Sequence, residues 1–410
     1  MPIFFILPSV RRVYFLFKDL FVELEMSYAV SCAFLMMFLT RAAGFSALVR
    51  TLPGAPSVST LSRAAMSFRP NRFMRRNQSR ILRALAKRGH GDFCFAVDDT
   101  ANPKYGSTFC SNFHSSSGPF FGQKILVLVI VDLKLNHALP ISYVFLSNKK
   151  DPNHIPAHYR ALDLIEAAIQ EGFPPLPVTS DSWFDSKEFI KAVVDLGCTF
   201  AGELKGNRIV RGGPSGAISS GLARIFKKSL KIRLPQSRHQ KRKEKRGKAY
   251  SQRRLYINQL NIPLKVIAVY NRINGNKPFA YYATNNTSMT GVQLWMYSRG
   301  RWAIEVLFRE LKQSLGFGSL TSGSEGGTHM AVCIPLILLT SIRLDSEMIW
   351  NSKGRETLGT IVKRTCEEGL TKTIDALIFQ PKTKKTAQLL ARRRHPTKKP
   401  TNLCGEKMSA

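Results

Sequence analysis

The spacing of hydrophobic and polar residues predicts helices in the first part of the chain. An amphipathic stretch covers Val10–Met26, a predominantly apolar run that should be a buried helix covers residues 27–39, and a strongly basic helix is predicted over residues 69–88. We therefore expect residues 1–90 to form a helical domain that binds DNA. A basic helical face without that function would give the same pattern.

The pattern changes to strands after residue 91. Three apolar segments, "DFCFAV", "KILVLVIVDLKL" and "LPISYVFL", have the composition of β-strands. Two helical segments, "HIPAHYRALDLIEAAIQEG" and "DSKEFIKAVVDLG", then alternate with the short strands "PPLPVTSD" and "CTFAGEL". This order predicts a mixed α/β sheet with helices on its faces over residues 91–204.

Residues 205–285 interrupt the α/β pattern. The segment "RLPQSRHQKRKEKRGKAYSQRR" is polar and very basic, which predicts a solvated loop, whereas "LKVIAVYN" and "FAYYATN" resume strand character. A structureless loop of this length is unusual inside a domain, so we expect an inserted, basic, β-rich subdomain. Residues 286–345 should complete the sheet domain with a helix that contains Glu305. Residues 346–410 should form helices and a basic tail.

The charge of the chain points to a polyanionic partner. Its 61 Lys and Arg residues against 27 Asp and Glu give a net charge of +34, which favours nucleic acid first and a membrane surface second. The run at 27–39 is too short to cross a membrane, and Pro335 interrupts the other apolar run, "AVCIPLILLTSI". We therefore expect no membrane association. Seven scattered cysteines fit a reducing compartment.

Three carboxylates occupy positions that suit metal-dependent chemistry. Asp98 and Asp181 end predicted strands, where functional side chains often project from α/β sheets, and Glu305 lies in an apolar helix. Three carboxylates could hold two Mg²⁺ ions about 4 Å apart, which activate the attacking oxygen and stabilise the leaving oxygen in phosphoryl transfer. A basic surface would hold the phosphodiester.

Each carboxylate also has a structural interpretation. Asp98 could belong only to a turn, Asp181 could be a helix N-cap, and Glu305 could pair with Arg301 or Arg309 four residues away. However, Arg301, Glu305 and Lys312 fall on roughly one helical face. Two cations that flank one carboxylate would suit a metal ligand beside DNA phosphates.

These residues resemble a known family. The chain is similar to the DDE transposases of bacterial insertion sequences, in particular the cut-and-paste group with the Y-R-E-K signature. Arg301-(3)-Glu305-(6)-Lys312 has the spacing of that signature, while Ser298 occupies the Tyr position and Tyr297 lies one residue earlier. "VDDTANPKYG" and "TSDSWFDS" resemble the segments that carry the family's first and second aspartates.

The resemblance implies a fold, an activity and a set of partners. The fold would be a ribonuclease-H-like mixed sheet flanked by helices, with an inserted β-rich subdomain and a helical N-terminal domain. Asp98, Asp181 and Glu305 would bind two Mg²⁺ ions, with Mn²⁺ as a substitute. Water would hydrolyse one strand at the transposon end, and the freed 3′-OH would attack target DNA. The enzyme would act as a cytoplasmic, nucleoid-associated homodimer on double-stranded DNA with terminal inverted repeats.

Further residues receive lesser roles in this interpretation. Arg301, Lys312 and Tyr297 would contact DNA, and Lys205 and Arg208 resemble a basic position near the donor backbone. Four other residues have weaker expectations. Lys104 could contact DNA or lie at the surface, Asp185 should cap a helix, and Trp183 should pack in the interior. Trp302 should also pack in the core, although an aromatic ring near the site could stack on a displaced base.

Two other functions remain open. A decayed or noncatalytic relative would bind DNA without cutting it, and a structure-specific nuclease would cut branched DNA without inverted repeats. Three retained carboxylates favour the active transposase.

Overall fold

A computed structural model describes much of the chain, in two compact units. The described residues are 28–42, 44–51, 55–88, 93–115, 118–211, 219–227, 229–235, 247–257, 260, 262–344, 358–360 and 362–363. One unit comprises residues 1–64 with 356–410, and the other comprises residues 65–355. The predicted amphipathic stretch Val10–Met26 and the basic tail lie outside the described residues.

The first unit contains the predicted apolar helix. Helix α1 covers Tyr28–Leu39 and is followed by α2 at Phe45–Thr51. Every side chain from Ala33 to Leu39 is almost completely buried. A helix without a polar face is stable in water only where other groups cover it on all sides, so this burial confirms the prediction of a buried helix for residues 28–39.

The remaining elements contain two β-sheets and their helices. In chain order they are α3 (Val58–Met66), α4 (Pro70–Arg88), β1 (Phe93–Pro103), β2 (Ser111–Ser115), β3 (Gly118–Asp132), β4 (His137–Leu146), α5 (Ala157–Gln170), β5 (Val178–Thr179), α6 (Lys187–Asp195), β6 (Ala201–Leu204), β7 (Ile209–Arg211), β8 (Ser219–Gly221), α7 (Leu222–Ile225), β9 (Ile232–Arg233), β10 (Ala249–Ile257), β11 (Pro263–Tyr270), β12 (Ala280–Thr284), α8 (Gly291–Gly300), α9 (Trp302–Ser314) and α10 (Glu325–Leu344). The chain is thus mixed α/β, as predicted.

The first sheet has the strand order β4-β3-β1-β5, and β2 pairs with the start of β3. The pairs β1–β3 and β3–β4 are antiparallel, whereas β1 and β5 are parallel. The central strand β3 is buried without interruption from Ile125 to Val131, because its side chains are apolar on both faces and α5 and α9 pack on it.

The register of β1 and β5 positions two of the predicted carboxylates. Ala96 pairs with Thr179 in parallel orientation. Asp98 and Asp181 each lie two residues beyond this pair, in the same chain direction. Residues that follow a parallel pair by the same number of positions lie at the same end of the two strands, so Asp98 and Asp181 lie close together.

The second sheet has the order β6-β12-β11-β10-β7-β8, with β9 on β10. Residues 249–254 belong to β10, so their assignment to a solvated loop was wrong. The basic side chains Arg253 and Arg254 lie exposed on this strand, while Ala249 and Leu255 are buried. Pairing with β11 along the whole strand determines the conformation here, and local charge does not.

Two predictions about the last helices need correction. Helix α10 continues through Pro335, although proline was expected to interrupt this segment. By length and composition Glu325–Leu344 could cross a membrane, but 83% of its apolar window is buried inside the protein. Burial of this kind is typical of a core helix, whose packing offsets the hydrogen bond that proline removes.

Lys104 lies in the interior and joins β1 to the turn that follows α9. Its ammonium Nζ donates to the carbonyl oxygens of Gly318 at 2.8 Å and Leu320 at 2.5 Å. Only 9% of the residue is exposed, and burial lowers the pKa of its ammonium to about 8. The expectation of a DNA contact or a surface position was therefore wrong.

We expect Lys104→Met to destabilise the protein. The substitution keeps the length of the side chain but leaves two buried carbonyl oxygens without their donor, which should lower the free energy of unfolding by about 1–3 kcal/mol. Denaturant titration measures this change. Lys191→Met, on the exposed face of α6, is the control and should change stability little. Equal stability of the two variants would contradict the role of Lys104.

Candidate active site

Three distant segments of the chain bring Asp98, Asp181 and Glu305 together. Asp98 lies within β1, Asp181 follows β5, and Glu305 lies in the first turn of α9. Arg301 links two of these carboxylates directly. Its guanidinium lies 3.5 Å from Asp98 Oδ2 and 2.7 Å from Glu305 Oε1.

Arg301 reaches both carboxylates because of a break between two helices. Helix α8 ends at Gly300, α9 begins at Trp302, and Arg301 lies between them with helical backbone angles. A Cβ at Gly300 would lie 2.5 Å from Leu133, so glycine permits this junction to approach the first sheet. Glu305 is then one helical turn from Arg301.

Burial and mutual repulsion make the negative charge of this site unfavourable. Burial and the charge of Asp181 raise the pKa of Asp98 to about 7, against the opposing effect of Arg301. Burial also raises the pKa of Asp181, although the Trp183 amide and Arg301 oppose the rise. One guanidinium therefore does not fully compensate the carboxylates, and a further cation would stabilise their charged forms.

Glu203 is a fourth carboxylate of the site that the sequence did not reveal. It lies in β6, and its amide donates to the Ser180 carbonyl at 3.1 Å, next to Asp181. Burial raises the pKa of Glu203, and Asp181 and Glu305 contribute to the rise while Arg301 opposes it. The only indication in the sequence that could have identified Glu203 was an acidic residue in a short strand of a very basic chain.

The donor set suits a hard divalent cation in its chemistry. Carboxylate oxygens are the ligands that Mg²⁺ prefers, and the repulsion between Asp98 and Asp181 would be relieved by a dication. In the part of the chain that the structure describes, no three His, Cys, Asp or Glu side chains are arranged around one metal position. The bridge from Arg301 to Asp98 and Glu305 holds these side chains instead, so metal binding would require this guanidinium to shift.

For Asp181 and Glu305, the helix cap and the ion pair expected from the sequence are both present. Asp181 Oδ1 accepts a hydrogen bond from the Trp183 amide at 3.0 Å and caps the short 3-10 helix Ser182–Phe184. Glu305 pairs with Arg301, as the i,i+4 spacing allowed. These contacts orient the side chains toward the site without excluding a second role for them.

Lys312 and Tyr297 lie in different surroundings. Lys312 Nζ donates to the Ala101 carbonyl oxygen at 2.6 Å, which links the last turn of α9 to the strand of Asp98. Tyr297 is partly buried and packs against an apolar cluster of the second sheet that includes Tyr250 and Trp295. The structure therefore brings Lys312 near the Asp98 strand and places Tyr297 in a separate cluster.

Lys205 and Arg208 are held by a buried carboxylate. Asp185 Oδ1 lies 3.6 Å from Lys205 Nζ and 3.3 Å from the Arg208 guanidinium, and Oδ2 accepts from the Lys205 amide at 2.9 Å. Asp185 occupies the C-cap position of the 3-10 helix Ser182–Phe184, but its side chain does not cap α6, because the hydroxyl of Ser186 does so. The Asp185 side chain instead contacts Lys205 and Arg208, which are distant in the sequence.

Two tryptophans that were expected to pack in the interior are exposed. Trp183 is 62% exposed and Trp302 is 54% exposed. Trp302 is the first residue of α9 and lies outside the buried stripe of that helix, which includes Ala303 and Ile304. It lines an open cleft of about 560 Å³ together with Arg301 and Glu203.

Comparisons with known proteins identify the family. Residues 120–340, more than half of the chain, match the family model described as "Transposase DDE domain". Asp181, Arg301 and Glu305 lie in the matched segment, and Asp98 precedes it. A cryo-EM structure of a piggyBac transposase synaptic complex with hairpin DNA is similar at 12% identity and a TM-score of 0.47, covering 92% of this chain and 78% of that chain. The comparison with curated proteins found no match. The chain belongs to the family defined by the transposase DDE domain.

Proposed function

We propose that the protein is a DNA transposase of the cut-and-paste, Y-R-E-K type found in bacterial insertion sequences. It would cleave strands at transposon ends and transfer them into target DNA. Membership of the DDE family supports a transposase, and the family generally uses divalent metal ions. The observation that carries the proposal is the convergence of Asp98, Asp181 and Glu305 around Arg301.

The proposed core is ribonuclease-H-like. Three antiparallel strands followed by a parallel strand, with helices between the later strands, support this assignment. We propose residues 91–204 and 286–345 as the two parts of the core and residues 205–285 as the β-rich insertion. Strands β7 to β12 fall in that insertion, and they share a sheet with β6 of the core.

In the proposed function, the carboxylates and Arg301 have different roles in phosphodiester cleavage. Asp98, Asp181 and Glu305 would hold two Mg²⁺ ions, which when bound activate the attacking oxygen and stabilise the leaving oxygen. Arg301, once released from the carboxylates, is a planar cation suited to hold a phosphate by paired hydrogen bonds. Its burial keeps this interaction strong, because water screens it little.

DNA is the proposed partner of the basic surfaces. A net charge of +34 suits the phosphates of double-stranded DNA, and two bound transposon ends would be joined by a homodimer. Residues 1–90 and Tyr297, Lys205 and Arg208 are further proposed contacts. The site of action would be the nucleoid in the cytoplasm.

A noncatalytic DNA-binding relative is the second candidate. Two contacts favour it: the ion pair between Arg301 and Glu305 and the hydrogen bond from the Trp183 amide to Asp181 satisfy these carboxylates without metal. Such contacts would persist in a protein that only binds DNA.

A cleavage assay distinguishes the two candidates. Purified protein is mixed with labelled duplex that carries the element's own ends, in Mg²⁺ or in EDTA. Nicking at the end that depends on Mg²⁺ supports the transposase. Tight binding without cutting in either condition supports the noncatalytic relative.

We expect Lys312→Ala to weaken DNA binding and to lower its salt dependence. Loss of one phosphate contact should reduce the slope of log affinity against log salt by about one. Fluorescence anisotropy at several salt concentrations measures the slope. Gln313→Ala, the neighbouring exposed position, is the control. An unchanged slope for Lys312→Ala would place this lysine away from phosphate and leave it only its bond to Ala101.

A further inference from the structure

Three carboxylates lie side by side at the ends of neighbouring strands. Val178 pairs with Phe200 in parallel orientation, and Asp181 and Glu203 each lie three residues beyond this pair. Side chains alternate between the two faces of a strand, so equal spacing from a parallel pair places Asp181 and Glu203 on one face. Asp98 has the same relation to Asp181 on the other side. Glu203 therefore extends the row of Asp98 and Asp181 onto β6.

Arg301 and Glu203 are on the same side of the sheet. Helix α8 packs on β1, β5 and β6, and Arg301 follows its last residue. Ala201, which points to the same face of β6 as Glu203, belongs to the apolar cluster that contains Leu294 and Trp295 of α8. The Glu203 side chain is therefore on the face that α8 covers, and Glu203 and Arg301 line one open cleft.

The Glu203 carboxylate has no direct cation in this arrangement. Arg301 pairs with Asp98 and Glu305, and among the described residues none forms an ion pair with Glu203. Burial and the neighbouring carboxylates raise the pKa of Glu203, so its charge is unfavourable here. The link from β6 to β5 uses only the backbone amide of Glu203, which other residues would also supply. The present pairing thus gives no structural reason for a carboxylate at this position.

A second arrangement of Arg301 would use the Glu203 carboxylate. A divalent cation beside Asp98 and Glu305 repels the guanidinium that joins them, so metal binding displaces Arg301. Only 18% of the Arg301 side chain is exposed, and a buried cation without a partner is costly. Glu203 is the carboxylate of the site that is not a proposed metal ligand. A guanidinium has five N–H donors, so one edge can pair with Glu203 while the other holds a phosphate.

We propose that Glu203 is a positioning residue that receives the Arg301 guanidinium when Asp98 and Glu305 release it. Glu203 then holds the guanidinium in the cleft, beside the other carboxylates. The trigger in the working enzyme is metal binding, and this part rests on the proposed function. The exchange itself requires only that Asp98 and Glu305 lose their charge, which substitution achieves without metal.

A metal-free structure tests the exchange. The double variant Asp98→Asn/Glu305→Gln keeps the shapes of both side chains and removes their charge. In its crystal structure the Arg301 guanidinium should lie within ion-pair distance of the Glu203 carboxylate. A guanidinium that stays between residues 98 and 305, or that turns to solvent, would overturn the proposal.

Thermal unfolding tests the same exchange in solution. Glu203→Gln added to the double variant should lower its unfolding midpoint by roughly 2 °C or more, because Arg301 then loses its second partner. Glu203→Gln in the wild-type protein should not lower the midpoint, because Arg301 keeps Asp98 and Glu305 there. Equal lowering in the two backgrounds would contradict the exchange.

Mn²⁺ affinity, measured by calorimetry, tests the link to metal. Glu203→Gln should weaken Mn²⁺ binding roughly tenfold, because the displaced guanidinium has no second partner. In an Arg301→Met background no guanidinium has to move, so Glu203→Gln should have little effect there. Glu166→Gln, which removes an exposed charge on α5, is the control and should leave the affinity unchanged.

The results separate this role of Glu203 from two others. Equal weakening of Mn²⁺ binding in both backgrounds would overturn the proposal and make Glu203 a metal ligand. A wild-type protein that binds no Mn²⁺ would contradict the proposed function and the metal trigger with it, while the metal-free structure would still decide whether Arg301 moves to Glu203.

Discussion

Asp98→Asn, Asp181→Asn and Glu305→Gln should each reduce Mg²⁺-dependent cleavage by about a thousandfold or more. Metal stabilisation of transition-state charge is worth several kcal/mol, and each step of about 1.4 kcal/mol changes the rate tenfold. Each substitution keeps the shape of the side chain and removes its charge. DNA binding should remain largely intact, because phosphate contacts come from basic residues. Single-turnover cleavage and anisotropy measure the two properties.

Asp99→Asn is the matched control for Asp98→Asn. Asp99 is the next residue in β1, but its carboxylate forms an ion pair with Lys124 at 2.9 Å. The strand directs successive side chains to opposite faces, so Asp99 should not hold the metal. We expect this variant to retain most of its cleavage activity. If Asp99→Asn stops cleavage and Asp98→Asn does not, the first metal ligand has been assigned to the wrong aspartate.

Gly122→Ala should lower the free energy of unfolding by roughly 3 kcal/mol, a large effect for one methyl group. Gly122 pairs with Pro103 at the end of β1. A Cβ at Gly122 would lie 2.4 Å from the Asn102 carbonyl oxygen and 2.8 Å from the Lys104 amide nitrogen. These are backbone atoms of the paired strand, which cannot move aside without loss of the pairing.

Denaturant titration with Gly323→Ala as control tests this expectation. A Cβ at Gly323 would meet no atom within 4 Å, so that variant should be close to wild type in stability. Equal stability of Gly122→Ala and Gly323→Ala would show that β1 and β3 tolerate a wider separation than the structure has.

Local pattern predicted the elements that carry the candidate site. Apolar runs located β1, β3 and β4, and the spacing of Ala303, Ile304 and Leu307 located the helix of Glu305. These predictions succeeded because side-chain periodicity and burial are properties of a short segment. The strand β10 was mistaken for loop because its exposed face is basic, and only its pairing with β11 shows that it belongs to a sheet.

The sequence by itself determined that the chain is basic and mixed α/β. It also determined that Asp98 and Asp181 lie at or near strand ends and that Glu305 lies in a helix. The tertiary structure alone decided which of these carboxylates meet. The parallel register of β1 and β5 brings Asp98 to Asp181, and the break at Gly300 brings Arg301 to Asp98. The tertiary structure also determined that Lys104 is buried and that Trp183 is exposed. The physical reason is that burial, charge pairing and proximity depend on contacts between residues far apart in the chain, and local periodicity contains no information about those contacts.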